Sequence, residues 1–153
     1  MKILIVGGNG TIGRKVTAHL KQKHEVIVAG RSQGDVKMDM RDSESIEKTL
    51  AGLAPLDAIV CIAGEARWNH LDALSEEDFY VGIRSKMMGQ VNLVRLGRPH
   101  LNPDGSFTLT TGILADDPVD MTTSAAMVNG ALHSFTKAAA LEMKNGQRIN
   151  VVS

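Results

Sequence analysis

The chain has 153 residues, 17 of them basic and 17 acidic, so it is formally neutral. That length carries one domain with an apolar core and is too short for two ordinary ones. Balanced charge without a Lys/Arg block gives no pull toward nucleic acid or an anionic membrane, and Cys61, the only cysteine, excludes an internal disulfide and fits a reducing, cytoplasmic setting.

The apolar start Ile3-Leu4-Ile5-Val6 stops at Gly7-Gly8 with no cleavage site behind it, which reads as a strand and not a signal peptide. No stretch approaches the roughly 18 apolar residues of a membrane span. Along the chain, short β-branched runs predict strands over 2–6, 25–29, 36–39, 57–62, 106–110 and 148–152. Longer amphipathic stretches predict helices over 12–23, 43–53, 75–97 and 122–144. Ser43 is a fair cap for the second helix, and Ser75-Glu76-Glu77-Asp78 sets acids where a helix N-terminus favours them. Apolar strands without strict alternation are buried on both faces, and their alternation with helices predicts an α/β fold, a doubly wound parallel sheet of six strands over residues 1–153. Such sheets bind ligands at the carboxyl ends of the strands, where strand order reverses.

The first such end is Gly7-Gly8-Asn9-Gly10-Thr11-Ile12-Gly13, between a strand and a helix. A tight turn, a close approach of backbone to pyrophosphate and a helix seated near the sheet each favour a residue without Cβ. The helix N-terminus then offers unpaired N–H groups to the phosphates. Position in a βαβ unit makes this a dinucleotide-binding expectation; a purely structural glycine turn is the alternative. The second strand ends on Gly30-Arg31-Ser32 and carries no acid there to accept the ribose 2′-OH of NAD. A guanidinium with a neighbouring hydroxyl suits a 2′-phosphate, so the expected cofactor is NADP(H).

Several motifs in order along the chain now resemble the short-chain dehydrogenase/reductase family. Gly7-x-x-Gly10-x-x-Gly13 is similar to its glycine signature, Asp39-Met40 to its adenine-contacting Asp, and Cys61-Ile62-Ala63-Gly64 to its Asn-Asn-Ala-Gly turn, with Ala63 and Gly64 along the cofactor. Leu109-Thr110-Thr111-Gly112 resembles the strand carrying the catalytic Ser. Ala138 to Glu142 and Arg148 to Ser153 resemble the family's following helix and sixth strand. The resemblance implies a Rossmann-type nucleotide-binding fold whose C-terminal part, with much of the substrate wall, is missing from these 153 residues.

It departs from the family at the chemistry. The positions of the catalytic Tyr and of the Lys four residues later fall on Ala125 and Asn129, and the only tyrosine, Tyr80, reads as a packing residue. Where the family has an Asn on the neighbouring helix, Ser85-Lys86-Met87-Met88-Gly89 presents Lys86, as though Lys and Asn were exchanged between facing positions. Lys86 is thus expected to reach the nicotinamide ribose or a substrate oxygen, as acid or as a purely structural cation, and Thr111 to orient a substrate oxygen. Asp116-Asp117-Pro118 reads as a solvated turn, Trp68 and His70 as a cleft wall or a packing pair, and the five histidines lack metal-ligand spacing. The 122–144 helix is apolar on more than one side and with the 75–97 helix is expected to form a homodimer or homotetramer. Two functions stay open: an oxidoreductase passing hydride between NADP(H) and a small carbonyl or alcohol, and a non-catalytic NADP(H)-binding sensor.

Overall fold

Runs such as Lys2-Ile3-Leu4-Ile5-Val6 are too short for helices and too apolar to face water, so they pair. The computed structural model describes residues 1–153. It places β1 (Lys2–Val6), β2 (Glu25–Gly30), β3 (Val36–Lys37), β4 (Leu56–Cys61), β5 (Leu101–Thr110) and β6 (Arg148–Val152) in one sheet of order β3-β2-β1-β4-β5-β6. Every pairing is parallel. The chain winds outward from β1 through β2 and β3, then returns to the far side of β1 as β4. Strand order therefore reverses between β1 and β4, and the crevice past Val6 and Cys61 is the switch point where such sheets take ligands.

The helices are α1 (Thr11–Leu20), α2 (Ser43–Leu53), α3 (Glu76–Gly82), α4 (Met88–Gly97) and α5 (Thr123–Leu141). The larger core joins Leu4, Val6, Ile59, Phe107 and Leu109 of the sheet to Ile46 and Leu50 of α2, Leu93 and Val94 of α4, and Leu132 of α5. On the other face Ile3, Ile5 and Ala58 pack with Val16 and Leu20 of α1. No helix is long and apolar enough to cross a membrane.

Several details differ from expectation. The strands of the β5 and β6 side do alternate: Phe107, Leu109 and Ile149 are buried, while Ser106, Thr108 and Thr110 are intermediate and Arg148 and Asn150 exposed. Only one face of that part of the sheet is apolar. β3 ends at Lys37, two residues early, because the backbone past it turns to close on Asp39 and Asp42. β5 begins at Leu101 and accommodates Pro103 through a register shift against β4. Asp42, not Ser43, caps α2, its carboxylate accepting from the Glu44 N–H at 2.9 Å. Ser75 and Asp78 complete a capping box on α3. The predicted 75–97 helix is interrupted by a π-helical turn at Ile83–Met87, a feature frequent at functional sites. Lys86 sits on that turn.

Candidate functional site

The glycine loop shows why its residues lack side chains. Gly7 has φ +84°, and a Cβ there would stand 2.8 Å from the Ala63 Cβ. A Cβ on Gly13 would drive into the Gly7 carbonyl oxygen and lie 2.8 Å from the Gly8 Cα. These two glycines let the turn nest against β4 and let α1 rest on the turn. Gly10 differs: its Cβ would meet only the Gly7 oxygen, at 3.4 Å. Gly10 is the N-cap of α1, with no side-chain cap hydrogen bond and no acid in the first turn, so the helix N-terminus keeps its N–H groups and partial positive charge. Asn9, Gly10, Thr11 and Ile12 are all exposed around it.

Beside this loop lies a cleft of about 200 Å³ that gathers Gly7, Arg31, Ser32, Asp39, Met40, Ala63 and Gly64. Residues from four separate loops, singled out in the sequence one by one, thus share one wall. The cleft also holds Arg41, Glu65 and Ser85, which sequence reasoning missed. Arg41 grips Asp39 with two bonds, Nη2 to Oδ2 at 2.7 Å and Nε to Oδ1 at 3.1 Å, and its backbone N–H donates to Oδ1 at 3.0 Å. The Asp-x-Arg spacing was the available signal. Across the cleft, Arg31 Nη2 stands 3.5 Å from Glu65 Oε1.

Hydrogen bonding from the Arg41 side chain holds the Asp39 carboxyl down at about 2. A carboxylate whose pKa falls on folding stabilises the fold above its unfolded pKa of roughly 3.9 and loses that contribution as pH falls toward 2. Because the Asp39 side chain is 32% exposed, screening leaves about 1 kcal/mol or less. Thermal melts between pH 5 and pH 2 are expected to fall more steeply for the parent chain than for Asp39→Asn. Parallel curves would show that the pair contributes nothing.

A second cleft, about 190 Å³, lies on the other side of Gly64 and brings Lys86 together with Ala125, Asn129, Trp68, Thr111 and Gly112. Gly64, at φ +144°, lets the Lys86 stem lie against the backbone: a Cβ there would come within 2.7 Å of the Lys86 Cγ. Lys86 Nζ donates to the Thr111 carbonyl at 3.3 Å. Burial lowers the Lys86 pKa from its ordinary value. The nearby Cys61 thiol offers no anion, since burial pushes it up to about 12. Asn129 is buried, and its Oδ1 has no hydrogen-bond partner. Lys86 and Asn129, read from the sequence as exchanged, thus line one cavity.

Thr111 lines this cleft too. Its hydroxyl donates to the Val152 carbonyl at 3.3 Å and lies 2.8 Å from His133 Nε2, so it is already engaged, and its carbonyl is the group that meets Lys86. His133 Nδ1 in turn stands 3.8 Å from Asp116 Oδ2. His133 and Asp116 look isolated in the sequence, because each meets its partner only across the fold. Trp68 lines the second cleft and is largely exposed, whereas His70 faces Asp120 at 3.6 Å. Tyr80 lies outside both clefts, its ring under the Arg84 guanidinium at 4.9 Å.

Comparison with known proteins places this geometry. Residues 3–153 match the family model described as enoyl-(acyl carrier protein) reductase. The chain is 25% identical over 177 aligned positions to General stress protein 39 of Bacillus subtilis, covering 98% of this chain but 61% of that relative's length. Among solved structures, lin1944 from Listeria innocua is 50% identical with a TM-score of 0.98, covering all of this chain and 76% of that one. A small-chain dehydrogenase solved in complex with NADPH is 26% identical with a TM-score of 0.92, over 100% of this chain and 69% of that one. With strand order, glycine loop and family model in agreement, the chain belongs to the short-chain dehydrogenase/reductase family.

Proposed function

We propose that this chain forms the cofactor-holding core of an oxidoreductase that passes hydride between NADP(H) and a small carbonyl or alcohol. The observation that carries the reading is one cleft that joins the Gly7 turn to Arg31-Ser32, with the uncapped N-terminus of α1 following from that turn. The residues fit the group: a Cβ at Gly7 or Gly13 would collide with Ala63 or with the Gly7 carbonyl, so only glycine allows the tight turn before α1, and a basic residue stands where an NAD-selective site carries an acid. The family relative solved with NADPH agrees.

In this reading the Gly7 to Gly13 backbone and the α1 N-terminus hold the pyrophosphate. Arg31 and Ser32 hold the 2′-phosphate, Asp39 and Met40 border the adenine, and Ala63 and Gly64 run alongside. The bound cofactor supplies or accepts the hydride. Lys86 supplies the proton, since Ala125 leaves no phenol and a lysine with a lowered pKa transfers protons nearer neutrality. Thr111 holds Lys86 through its carbonyl, and Trp68 walls the substrate side. The exposed Met88 of α4 and Met127 of α5, with open space at Gly130, support self-association through these helices.

The test is a calorimetric titration of NADPH and NADH against the Arg31→Ala variant. NADPH affinity is expected to fall about tenfold or more, the weight of a charge-assisted bond to phosphate, with NADH unchanged. An unchanged NADPH affinity would remove Arg31 from the site.

A further inference from the structure

The first cleft carries two cations and two carboxylates, and each cation already has an anion. Arg41 is locked: Asp39 takes it through both guanidinium bonds and a backbone bond. Arg31 is held differently. Glu65 reaches it with one oxygen at 3.5 Å, without a hydrogen bond, and the two side chains are 57% and 56% exposed. The backbone beneath Glu65 is fixed, because its N–H donates to the buried Ser85 Oγ at 3.2 Å and the preceding Gly64 is seated on Lys86. The carboxylate is therefore presented at the mouth of the cleft, on the opposite side from the loop carrying Arg31 and Ser32.

A ligand anion arriving at Arg31 meets a site whose charge is already cancelled. It must replace Glu65 to use the guanidinium. A phosphate offers several oxygens and geometry for a two-bond contact with arginine, which Glu65 does not make here. A ribose hydroxyl offers no anion for the exchange. Asp39 cannot be the residue that yields, since it would surrender three bonds to Arg41.

We propose that Glu65 is a specificity-determining residue: its carboxylate occupies Arg31 in the free protein and is exchanged for the cofactor 2′-phosphate, so that Glu65 limits how strongly the phosphorylated cofactor is preferred. This rests on the NADP(H) reading above. Glu65 is the internal competitor of the phosphate. Removing its charge frees Arg31 and strengthens phosphate binding, with no gain for a ligand that lacks the 2′-phosphate.

The probes are adenosine 2′,5′-bisphosphate and adenosine 5′-monophosphate, which differ only in that phosphate. They are titrated into the parent chain, Glu65→Gln, Arg31→Ala and the double variant. Glu65→Gln is expected to bind the bisphosphate about two- to fivefold tighter, the range of an exposed ion pair, with the monophosphate unchanged. In the Arg31→Ala background the same substitution is expected to do nothing. Weaker or equal bisphosphate binding in Glu65→Gln overturns the proposal, as does equal tightening without Arg31, or weaker binding of both nucleotides, which would make Glu65 a direct ribose contact. If the parent chain binds the two nucleotides equally, the NADP(H) reading itself fails, whatever Glu65 does. Melting curves for each variant check that the exposed substitutions leave the fold intact.

Discussion

Gly13→Ala is expected to lose about 1–3 kcal/mol of stability, because an added methyl group in a packed contact forces the surroundings to shift. The group it meets is backbone: the Gly7 carbonyl and the Gly8 Cα, neither of which can rotate away. Relief requires lifting α1 off the turn, so the melting temperature is expected to fall by roughly 2–12 °C and NADPH affinity to fall at least about tenfold as the helix N-terminus leaves its place. Gly10→Ala provides the contrast. Its Cβ finds only the Gly7 oxygen at 3.4 Å, so stability is expected to hold, and any loss of NADPH binding reports the approach of the ligand to the backbone. A Gly13→Ala chain that melts with the parent would contradict the described seating of α1.

Lys86→Met is expected to reduce NADPH-dependent turnover of a responsive carbonyl substrate by about 10²–10⁴-fold, the usual weight of a general acid. Methionine keeps an apolar stem against Gly64 and removes the ammonium that donates to the Thr111 carbonyl. No neighbouring phenol takes over, because Ala125 lines the cleft and Tyr80 lies outside it. Cofactor affinity is expected to change far less than turnover, because the proposed phosphate contacts at α1 and Arg31 lie on the other side of Gly64. Equal losses in affinity and turnover would make Lys86 a binding cation only. Full retention of turnover would exclude it from the chemistry.

The parts of the site legible in the sequence are those where backbone geometry dictates residue type. Gly7 and Gly13 follow from a turn that has no room for Cβ, and the βαβ order follows from apolar runs that must pair. Arg31 drew notice because it follows a strand whose end has a known relation to the ribose, and it lines the first cleft. Arg41 and Glu65 were not, since each lies in a loop whose side-chain direction depends on contacts made across the cleft. The π-helical turn was hidden for a related reason: Ile83 to Met87 has ordinary helical composition, and the widened turn shows only in the hydrogen bonding. The exchange of Lys86 and Asn129 was visible once the two helices were set side by side, and both residues line one cavity. The contacts of the Thr111 hydroxyl were hidden because its partners Val152 and His133 arrive from later elements. The alternation in β5 and β6 was passed over because Thr108 and Thr110 are themselves strand formers.

The proposed cofactor site is tested most simply by titrating the parent chain with NADPH and with NADH in the same buffer by calorimetry. Saturable NADPH binding at one site per chain is expected, about tenfold or more tighter than NADH, because only NADPH carries the phosphate proposed to engage Arg31 and Ser32. Equal affinity for the two cofactors, or binding of neither, would contradict it.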